Sequence, residues 1–343
     1  MRQRSSIKSA QPAAIAGRPT SYDVAQLAGV SQSAVSRCFS PGASISPITR
    51  KKVERAATSL GYSPNPLARS LITRRSGLIG LVVTTATLRY SPQIVHDLSD
   101  ALQSASLVPL LTTVDDDNTL PTALAQILNY RPEAIISLAT VANELINEAV
   151  AHKIPIVLIN RSAPKLPVSS IRCDHADGMR QLVETLIASG HRRFAFIAGP
   201  AGAPVSEERR QGFDDALRAA RQSSRATIFA DYTYEGGHAA ALGLLAKHPR
   251  LDALVCANDT MALGALDACR GDLGLDVPGQ ISVSGFDDIA EGRRPTRRLT
   301  TVRQPTEEMA RLAVAEVLNL SRGGTMASHH IIPGSLLMRG STR

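Results

Sequence analysis

Residues 20–37 have the sequence TSYDVAQLAGVSQSAVSR, in which two short helical patterns flank one glycine. Thr20 and Asp23 have the spacing of a capping box, which predicts a helix that starts after Thr20 and stops at the glycine. Ser31 is then a suitable N-cap for a second helix, Gln32–Phe39. Two short helices joined by a glycine-containing turn are typical of the helix-turn-helix, whose second helix can enter the major groove of DNA.

Exposed polar side chains around the start of the second helix are the predicted DNA contacts. Glutamine can pair with adenine, arginine with guanine or phosphate, and serine with a base or a phosphate. A third helix is predicted to begin at Ser46, with Pro47 in its first position, and to end at Gly61. An ordinary three-helix bundle without DNA binding is the alternative interpretation. The candidate DNA-binding residues of this region are Thr20, Ser31, Gln32, Ser33, Ser36 and Arg37.

Residues 65–75 contain a further helical pattern, with Asn65 as its N-cap and a proline in its first position. Such a short helix is marginal in water. We therefore expect it to form only against a DNA groove or against the same helix of a second subunit. Leu71, with Arg69 and two further arginines near it, suits an apolar wedge between base steps of the minor groove. A plain linker is the alternative interpretation.

The positive charge of the chain is concentrated at its N-terminal end. The whole chain carries +8, but residues 1–76 hold 12 basic and two acidic side chains, a net charge of +10. Residues 77–343 are nearly neutral, at −2. This asymmetry predicts a polyanion-binding module attached to another domain. The basic residues do not line one long amphipathic helix, so duplex DNA is favoured over an anionic membrane surface.

Length and composition exclude several classes of protein. A chain of 343 residues predicts two or three domains. No apolar run approaches the ~18 residues of a transmembrane helix, and the N-terminus lacks the apolar core of a secretory signal. Four scattered cysteines form neither a disulfide framework nor a zinc cluster. We therefore expect a cytoplasmic protein with reduced cysteines and no membrane partner.

Short apolar runs alternate with amphipathic patterns along the rest of the chain. Such alternation predicts an α/β fold in which parallel sheets are covered on both faces. Two sets of strands predict two doubly wound lobes with a ligand cleft at the carboxyl ends of the strands. The predicted strands are Leu78–Val83, Pro109–Thr113, Ala134–Ser137, Pro155–Ile159, Phe194–Ala198, Thr227–Ala230, Ala253–Ala257 and Ile281–Gly285. The predicted helices are Gln93–Ser104, Leu120–Asn129, Asn143–His152, Gly178–Ser189, Glu207–Ala220, Gly236–Ala246 and Thr260–Arg270.

Several of these stretches resemble the LacI/GalR family of bacterial transcription regulators. The matching runs are YDVAQLAGVS at 22–31, AVSR at 34–37 and GYSPNPLARSL at 61–71 in the N-terminal part, and SGHRR at 189–193, ANDTMALG at 257–264, SGFDD at 284–288 and LTTVRQ at 299–304 in the body. The resemblance implies a helix-turn-helix headpiece, a hinge helix and a periplasmic-binding-protein-like effector core whose chain crosses between the lobes three times. It also implies that Gln32 and Ser33 are the main base readers, that Ala68 packs near the dyad and that Leu71 is the minor-groove lever.

The resulting domain organisation has four parts. Residues 1–19 are a flexible basic arm, 20–64 the DNA-binding domain, 65–75 the hinge helix and linker, and 76–343 the effector-binding core. Within the core, the N-lobe takes about 76–172 and 304–331, and the C-lobe about 173–303 and 332–343.

Polar side chains at strand ends or in the loops after them are the candidate effector ligands. Paired acceptors, amides and an aromatic ring suit a polyhydroxylated ligand. The resemblance implies that Arg209 and Asp287 grip the effector, whereas Asn160 stands where several sugar-binding relatives have Asp. Buried Asn and Asp near strand ends can instead satisfy backbone groups. The candidates are Tyr90, Gln93, Asn160, Arg209, Tyr232, Asn258, Asp287 and Gln304.

The sequence offers no catalytic constellation. It lacks a phosphate-binding glycine loop, an HExxH motif and a GxSxG elbow. His329-His330 has no further metal ligands clustered near it in the sequence. We therefore predict neither enzyme activity nor a metal or other cofactor.

We predict a homodimeric regulator, most simply a repressor of carbohydrate or sugar-acid utilisation genes, that binds a pseudo-palindromic operator under control of an effector. Sugars, sugar acids and purines are the alternative effectors. A solute-binding protein and a sugar- or nucleotide-metabolising enzyme are the alternative functions.

Overall fold

The structure, a computed structural model, describes residues 19–40, 42–63, 76–115, 120–163, 166–324 and 327–343. The chain divides into two compact units, the first ending at Ser76 and the second beginning at Gly77. The predicted hinge helix, with Asn65, Ala68, Arg69 and Leu71, and nearly all of the predicted arm lie outside the described residues.

The first unit contains three helices around a small apolar core. Val24, Val35 and Val53 are fully buried, one on each helix. Side-chain caps begin all three helices, at the positions that the sequence predicts. The helices are α1 (Ser21–Ala28), α2 (Gln32–Cys38) and α3 (Pro47–Leu60).

The turn between α1 and α2 has the geometry that a helix-turn-helix requires. Gly29 ends α1 in the left-handed region, at φ 64°, where glycine is favoured because it has no Cβ. Thr20 and Asp23 form the predicted capping box, with the Thr20 N–H donating to Asp23 Oδ2 at 2.7 Å. The third helix holds the second in place, because Arg50 Nη1 donates to the Cys38 carbonyl at 3.1 Å.

The second unit begins with a parallel sheet in the order β11-β5-β4-β3-β1-β2. Its strands are β1 (Leu78–Thr84), β2 (Val108–Val114), β3 (Ala134–Ser137), β4 (Ile156–Ile159), β5 (Ser169–Asp174) and β11 (His329–Pro333). Helices of this half are α4 (Thr85–Tyr90), α5 (Pro92–Ser104), α6 (Leu120–Asn129), α7 (Asn143–Ala151) and α12 (Thr306–Ser321).

Both faces of this sheet are covered by helices. Along β1, Leu81 belongs to an apolar cluster that contains Leu98 of α5. The next residue, Val82, belongs to a different cluster that contains Ile127 of α6. Since successive side chains of a strand point to opposite faces, one helix covers each side, as in a doubly wound fold.

A second parallel sheet follows, in the order β7-β6-β8-β9. Its strands are β6 (Phe194–Ala198), β7 (Ala226–Phe229), β8 (Ala253–Cys256) and β9 (Ser282–Ser284). Its helices are α8 (His175–Ala188), α9 (Pro204–Ala219), α10 (Tyr234–Lys247) and α11 (Asp259–Asp267). A π-helical turn at Ala268–Asp272 continues α11. A short antiparallel pair, β10 (Thr301–Arg303) and β12 (Ser335–Leu337), completes this half.

The chain passes between the two halves three times. The crossings lie between β5 and α8, between β10 and α12, and between β11 and β12. The strands β5 and β11 end at Asp174 and Pro333, each two residues beyond the predicted lobe limits of 172 and 331.

Three kinds of element escaped the sequence analysis. The strand β5 contains the buried polar residues Ser169 and Ser170, which interrupt its apolar run; they are tolerated because the Ser169 hydroxyl donates to Glu316 Oε1 at 2.7 Å and the Ser170 hydroxyl bonds His329 Nδ1 at 2.9 Å. The helix α4 has only six residues, and β10 and β12 have three each, too few to show a period. The helix α12 and the strand β11 lie in a segment for which no element was predicted.

All four cysteines are buried. Burial raises the pKa of the Cys173 and Cys269 thiols to about 12. Because the thiolate is the reactive form of cysteine, these side chains behave as small apolar core residues. Among the described ranges, none of the helices combines the length and apolarity needed to cross a bilayer.

Neighbouring helices of the second half touch through glycines. A Cβ built on Gly237 of α10 would lie 2.4 Å from the Cα of Met261 in α11, and a Cβ built on Gly264 of α11 would meet the Tyr234 carbonyl of α10. A methyl group at either position cannot be accommodated without separating the two helices.

We expect Gly237→Ala to lower the free energy of unfolding by about 1–3 kcal/mol, because it overpacks this contact. Gly243→Ala is the matched control, since it lies in the same helix with no atom within 4 Å of a built Cβ. It should raise the same quantity by up to about 1 kcal/mol through helix propensity. Urea denaturation measures both, and equal effects of the two substitutions would contradict the close-contact explanation.

Candidate functional site

Most of the predicted DNA-contacting residues of the headpiece lie on α2 or at its N-cap. Gln32, Ser33 and Arg37 are exposed, whereas Ala34 and Val35 face the core of the first unit. Ser31 caps the helix and its hydroxyl lies 2.9 Å from the Ser33 hydroxyl.

Two of these side chains are held by local bonds in this structure. Gln32 Nε2 donates to the Ser21 hydroxyl at 3.3 Å, and Arg37 Nε donates to the Ser33 carbonyl at 3.3 Å. Ser36 is half-buried, and Thr20 is occupied in the capping box of α1. Ser31, Gln32 and Ser33 lie together at the exposed start of α2, which is the part of this helix that can approach a groove.

A cleft lies between the two halves of the second unit. Its walls come from the carboxyl ends of the parallel strands: Thr84 ends β1, Asn160 follows β4 and Asn258 follows β8. In both sheets the strand order reverses near these ends, and such switch points are where open α/β sheets bind ligands.

Seven of the eight predicted effector residues line this cleft: Tyr90, Asn160, Arg209, Tyr232, Asn258, Asp287 and Gln304. Gln93 does not belong to its lining. It is the second residue of α5, is exposed, and donates from Nε2 to Asp97 Oδ1 at 2.7 Å. The neighbouring Ile94 takes the inward-facing position on this helix and lines the cleft instead.

Arg209 is the central charge of the cleft and is only 3% exposed. Its Nη2 donates to Asp287 Oδ1 at 2.7 Å, and its Nη1 donates to the Ala257 carbonyl. The guanidinium also lies 3.9 Å from the centroid of the Phe286 ring, where a cation–π contact is favourable. These three contacts fix the plane of the Arg209 guanidinium before any ligand binds. Such preorganisation favours recognition of a ligand.

A chain of hydrogen bonds crosses the cleft from one half to the other. The Cys173 N–H donates to Asn160 Oδ1 at 3.0 Å, Asn160 Nδ2 donates to Gln304 Oε1 at 2.9 Å, and Gln304 Nε2 donates to Asp287 Oδ1 at 2.7 Å. Arg209 and Gln304 therefore both use Oδ1 of Asp287, and neither bonds Oδ2. Burial raises the pKa of the Asp287 carboxyl, and the Arg209 guanidinium opposes that rise.

Asn258 has a backbone role in addition to its place in the cleft. Its Oδ1 caps α11 by accepting from the Met261 N–H at 2.9 Å, and its Nδ2 donates to the Tyr232 carbonyl at 3.2 Å. It thereby holds the loop that carries Tyr232, whose backbone is in the left-handed region at φ 66°. The Tyr232 ring packs on Gly199, where any side chain would collide with it.

Sequence reasoning missed several buried titratable groups, of which two have strongly shifted pKa values. His175 begins α8, lines the cleft and is 1% exposed. Burial lowers its pKa well below the ordinary value, and the charges of Arg209, Arg161 and Arg172 lower it further. A lone histidine in sequence carries no signal of such a position.

The second group is Asp259, the first residue of α11. It accepts from the Thr301 hydroxyl at 2.6 Å and from the Ile289 N–H at 2.9 Å. Burial, followed by the nearby Asp287, raises the pKa of its carboxyl to about 7. Within the described ranges, no three His, Cys, Asp or Glu side chains come together as a metal site.

The lowered pKa of His175 makes a pH prediction. Because the unfolded imidazole gains a proton below about pH 6.5 and the folded one does not, stability falls as the pH falls through that range. Asp259 acts in the opposite direction, so the comparison must be between variants. We expect the wild type to lose about 1 kcal/mol more unfolding free energy than His175→Asn between pH 7 and pH 5.5. Parallel stability curves in denaturant titrations would show that His175 is not neutral in the folded protein.

Comparison with known proteins covers both units. The family described as bacterial regulatory proteins, lacI family, matches residues 20–65, and the periplasmic binding protein-like domain matches residues 183–342. The HTH-type transcriptional regulator CelR of Thermobifida fusca is 34% identical over 314 residues, which cover 88% of this chain and 92% of CelR.

Solved structures agree with this match. The lac repressor dimer bound to operator and the anti-inducer ONPF has a TM-score of 0.86 at 30% identity, covering 94% of this chain and 99% of that one. The CelR–cellobiose complex has a TM-score of 0.71 at 32% identity, covering 94% and 100%. A helix-turn-helix unit, a cleft at the strand ends of two parallel sheets and similarity along nearly the whole chain together lead to one assignment. The chain belongs to the lacI family of bacterial regulatory proteins and is a DNA-binding regulator of transcription.

Proposed function

We propose that this regulator is a homodimeric repressor of carbohydrate or sugar-acid utilisation genes, acting in the cytoplasm on a pseudo-palindromic operator and controlled by a saccharide in the cleft. The observation that carries the proposal is the hydrogen-bond chain from Asn160 through Gln304 to Asp287, which joins the two halves of the core across the cleft. A ligand that competes for these groups changes what holds the two halves together.

The polarity of the cleft supports a saccharide. A carboxylate oxygen that Arg209 and Gln304 leave unused can accept a sugar hydroxyl, and the Tyr232 ring offers a face for the apolar side of a pyranose. CelR, a relative over most of the chain, has a structure in complex with cellobiose. A saccharide accounts for the mixture of charged, amide and aromatic groups in one cleft.

The proposed DNA contacts are Thr20, Ser31, Gln32, Ser33, Ser36 and Arg37 in the headpiece and Asn65, Ala68, Arg69 and Leu71 in the hinge. The lac repressor dimer bound to operator supports a dimer on duplex DNA. The proposed domains are the arm at 1–19, the headpiece at 20–64, the hinge at 65–75 and the core at 76–343.

The proposed control is a linkage between effector and operator. Effector binding changes the angle between the lobes, and this change favours or disfavours the marginal hinge helices of the two subunits. Allosteric coupling free energies are about 1–3 kcal/mol, and a helix of this length is marginal in water. Residues 65–75 connect the two proposed domains.

We expect Gln32→Ala to weaken binding to the duplex upstream of the chain's own gene about tenfold or more, because a bidentate glutamine–adenine contact contributes about 1–3 kcal/mol. Binding to an unrelated duplex should not change. Fluorescence anisotropy at fixed salt measures both. Gln211→Ala, at an exposed position of α9, is the control. An equal loss of affinity on both duplexes would assign Gln32 to phosphate contact rather than base reading.

We expect Asp287→Asn to weaken saccharide binding about ten- to a hundredfold, because hydrogen bonds to a charged group contribute about 1.5–3 kcal/mol. Calorimetry with cellobiose, lactose, galactose, glucuronate and galacturonate identifies the sugar that binds and measures its loss.

Two controls accompany this variant. Asp215→Asn removes an exposed carboxylate of α9 and should leave sugar binding unchanged. Thermal melting shows whether Asp287→Asn is folded, since it leaves the buried Arg209 without its counterion. A folded variant with wild-type sugar affinity would remove Asp287 from the proposed site, and a wild type that binds none of the five sugars would overturn the saccharide assignment.

A further inference from the structure

His175 is a buried side chain of the cleft whose two ring nitrogens have different surroundings. It is the first residue of α8, directly after the first crossing between the two halves of the core. Its ring is 1% exposed and packs at a tilted angle on Phe286, 5.5 Å between centroids. Neither the sequence patterns nor the bonds that join the two halves give this residue a role.

One ring nitrogen is committed to Arg209. Nδ1 lies 3.4 Å from both Nε and Nη2 of the guanidinium. A guanidinium has only donors, so Nδ1 must be the acceptor and carries no proton. The neutral imidazole then has its proton on Nε2. His175 is thus locked in one tautomer by the same arginine that holds Asp287.

The other ring nitrogen has no partner among the described residues. Nε2 of His175 is fully buried and makes no hydrogen bond, although buried polar groups are generally paired. The other buried histidine of the core, His191, shows the usual situation. Its Nδ1 bonds the Leu186 carbonyl at 2.8 Å, and its Nε2 bonds the Ser282 hydroxyl at 2.8 Å. His175 therefore differs from an ordinary core histidine.

We propose that His175 Nε2–H is a hydrogen-bond donor to the effector and selects ligands that present an oxygen acceptor at this point of the cleft. The inference rests on the proposed saccharide function and names a specificity residue for it. Saccharide hydroxyl and ring oxygens are acceptors of the required kind. A site built to donate a hydrogen bond discriminates strongly against an analogue that lacks the acceptor, because its buried polar group is then left unpaired.

Two substitutions separate the roles of the two ring nitrogens. In His175→Asn, the side-chain oxygen can take the place of Nδ1 and accept from Arg209, but no atom reaches the position of Nε2. In His175→Gln, the longer side chain can return an N–H to that position. A purely structural role, limited to holding Arg209, would be better served by Asn than by Gln.

The first test is calorimetric titration of the full chain with cellobiose, lactose, galactose, glucuronate and galacturonate. For the sugar that binds most tightly, we expect His175→Asn to weaken binding about tenfold or more and His175→Gln to recover most of that loss. His152→Asn, at an exposed position after α7, should match the wild type.

Three outcomes are distinguishable. If no sugar binds the wild type, the proposed function fails and this inference fails with it. If a sugar binds the wild type and binds His175→Asn equally well, the inference alone is overturned. If the sugar binds His175→Asn weakly and His175→Gln more tightly, the donor role is supported.

A second measurement does not depend on a variant that folds. Long-range proton–nitrogen NMR spectra of the chain labelled with ¹⁵N-histidine report the tautomer of each ring. We expect the Nε2–H tautomer for His175 and the Nδ1–H tautomer for His191, because the Leu186 carbonyl can only accept. Addition of the binding sugar should move the His175 Nε2 signal and leave that of His191 in place. An Nδ1–H tautomer for His175, or a signal that the sugar does not move, would overturn the inference.

Discussion

The buried ion pair of Arg209 and Asp287 constrains the whole effector core. Both side chains are less than a tenth exposed, and a buried charge is tolerated only where partners are fixed around it. The pair is held by the Ala257 carbonyl, the Phe286 ring and Gln304, and Gln304 is held in turn by Asn160. These partners come from both halves of the core. The Arg209–Asp287 ion pair therefore has two effects. It makes the cleft suitable for a polar ligand, and it requires the two halves of the core to meet in one arrangement.

The rest of the fold brings these partners to one place. Parallel strands deliver their carboxyl ends to the same edge of each sheet, so loops after β4, β7, β8 and β9 converge on the cleft without long connections. Close glycine contacts hold α10 against α11, and Asn258 ties the start of α11 to the Tyr232 loop. The second half of the core is therefore well suited to move as one body relative to the first.

The sequence was most informative where periodicity and apolarity were uninterrupted. The strands Ala134–Ser137 and Phe194–Ala198 and the helix Leu120–Asn129 have the predicted ends, because each is a continuous run bounded by polar or helix-breaking residues. By contrast, β5 was missed because two of its buried residues are serines. Their hydroxyls are paired with Glu316 and His329, which lie about 150 positions away in the chain, so no local pattern reveals that these serines can be buried. The same limit applies to the site. Strand-end position identified Asn160 and Asp287, but the outward turn of Gln93 and the inward position of His175 depend on tertiary packing.

The burial of all four native thiols has a practical consequence for following this regulator at work. Burial raises the pKa of each of these thiols and makes them poor nucleophiles at neutral pH, so maleimide dyes will label a newly introduced surface cysteine ahead of the native ones. The native cysteines can stay in place, which matters for Cys173 because its side chain packs in the apolar core beside the cleft. Fluorophore pairs attached on opposite sides of the cleft would then report lobe movement in single molecules of otherwise unaltered sequence.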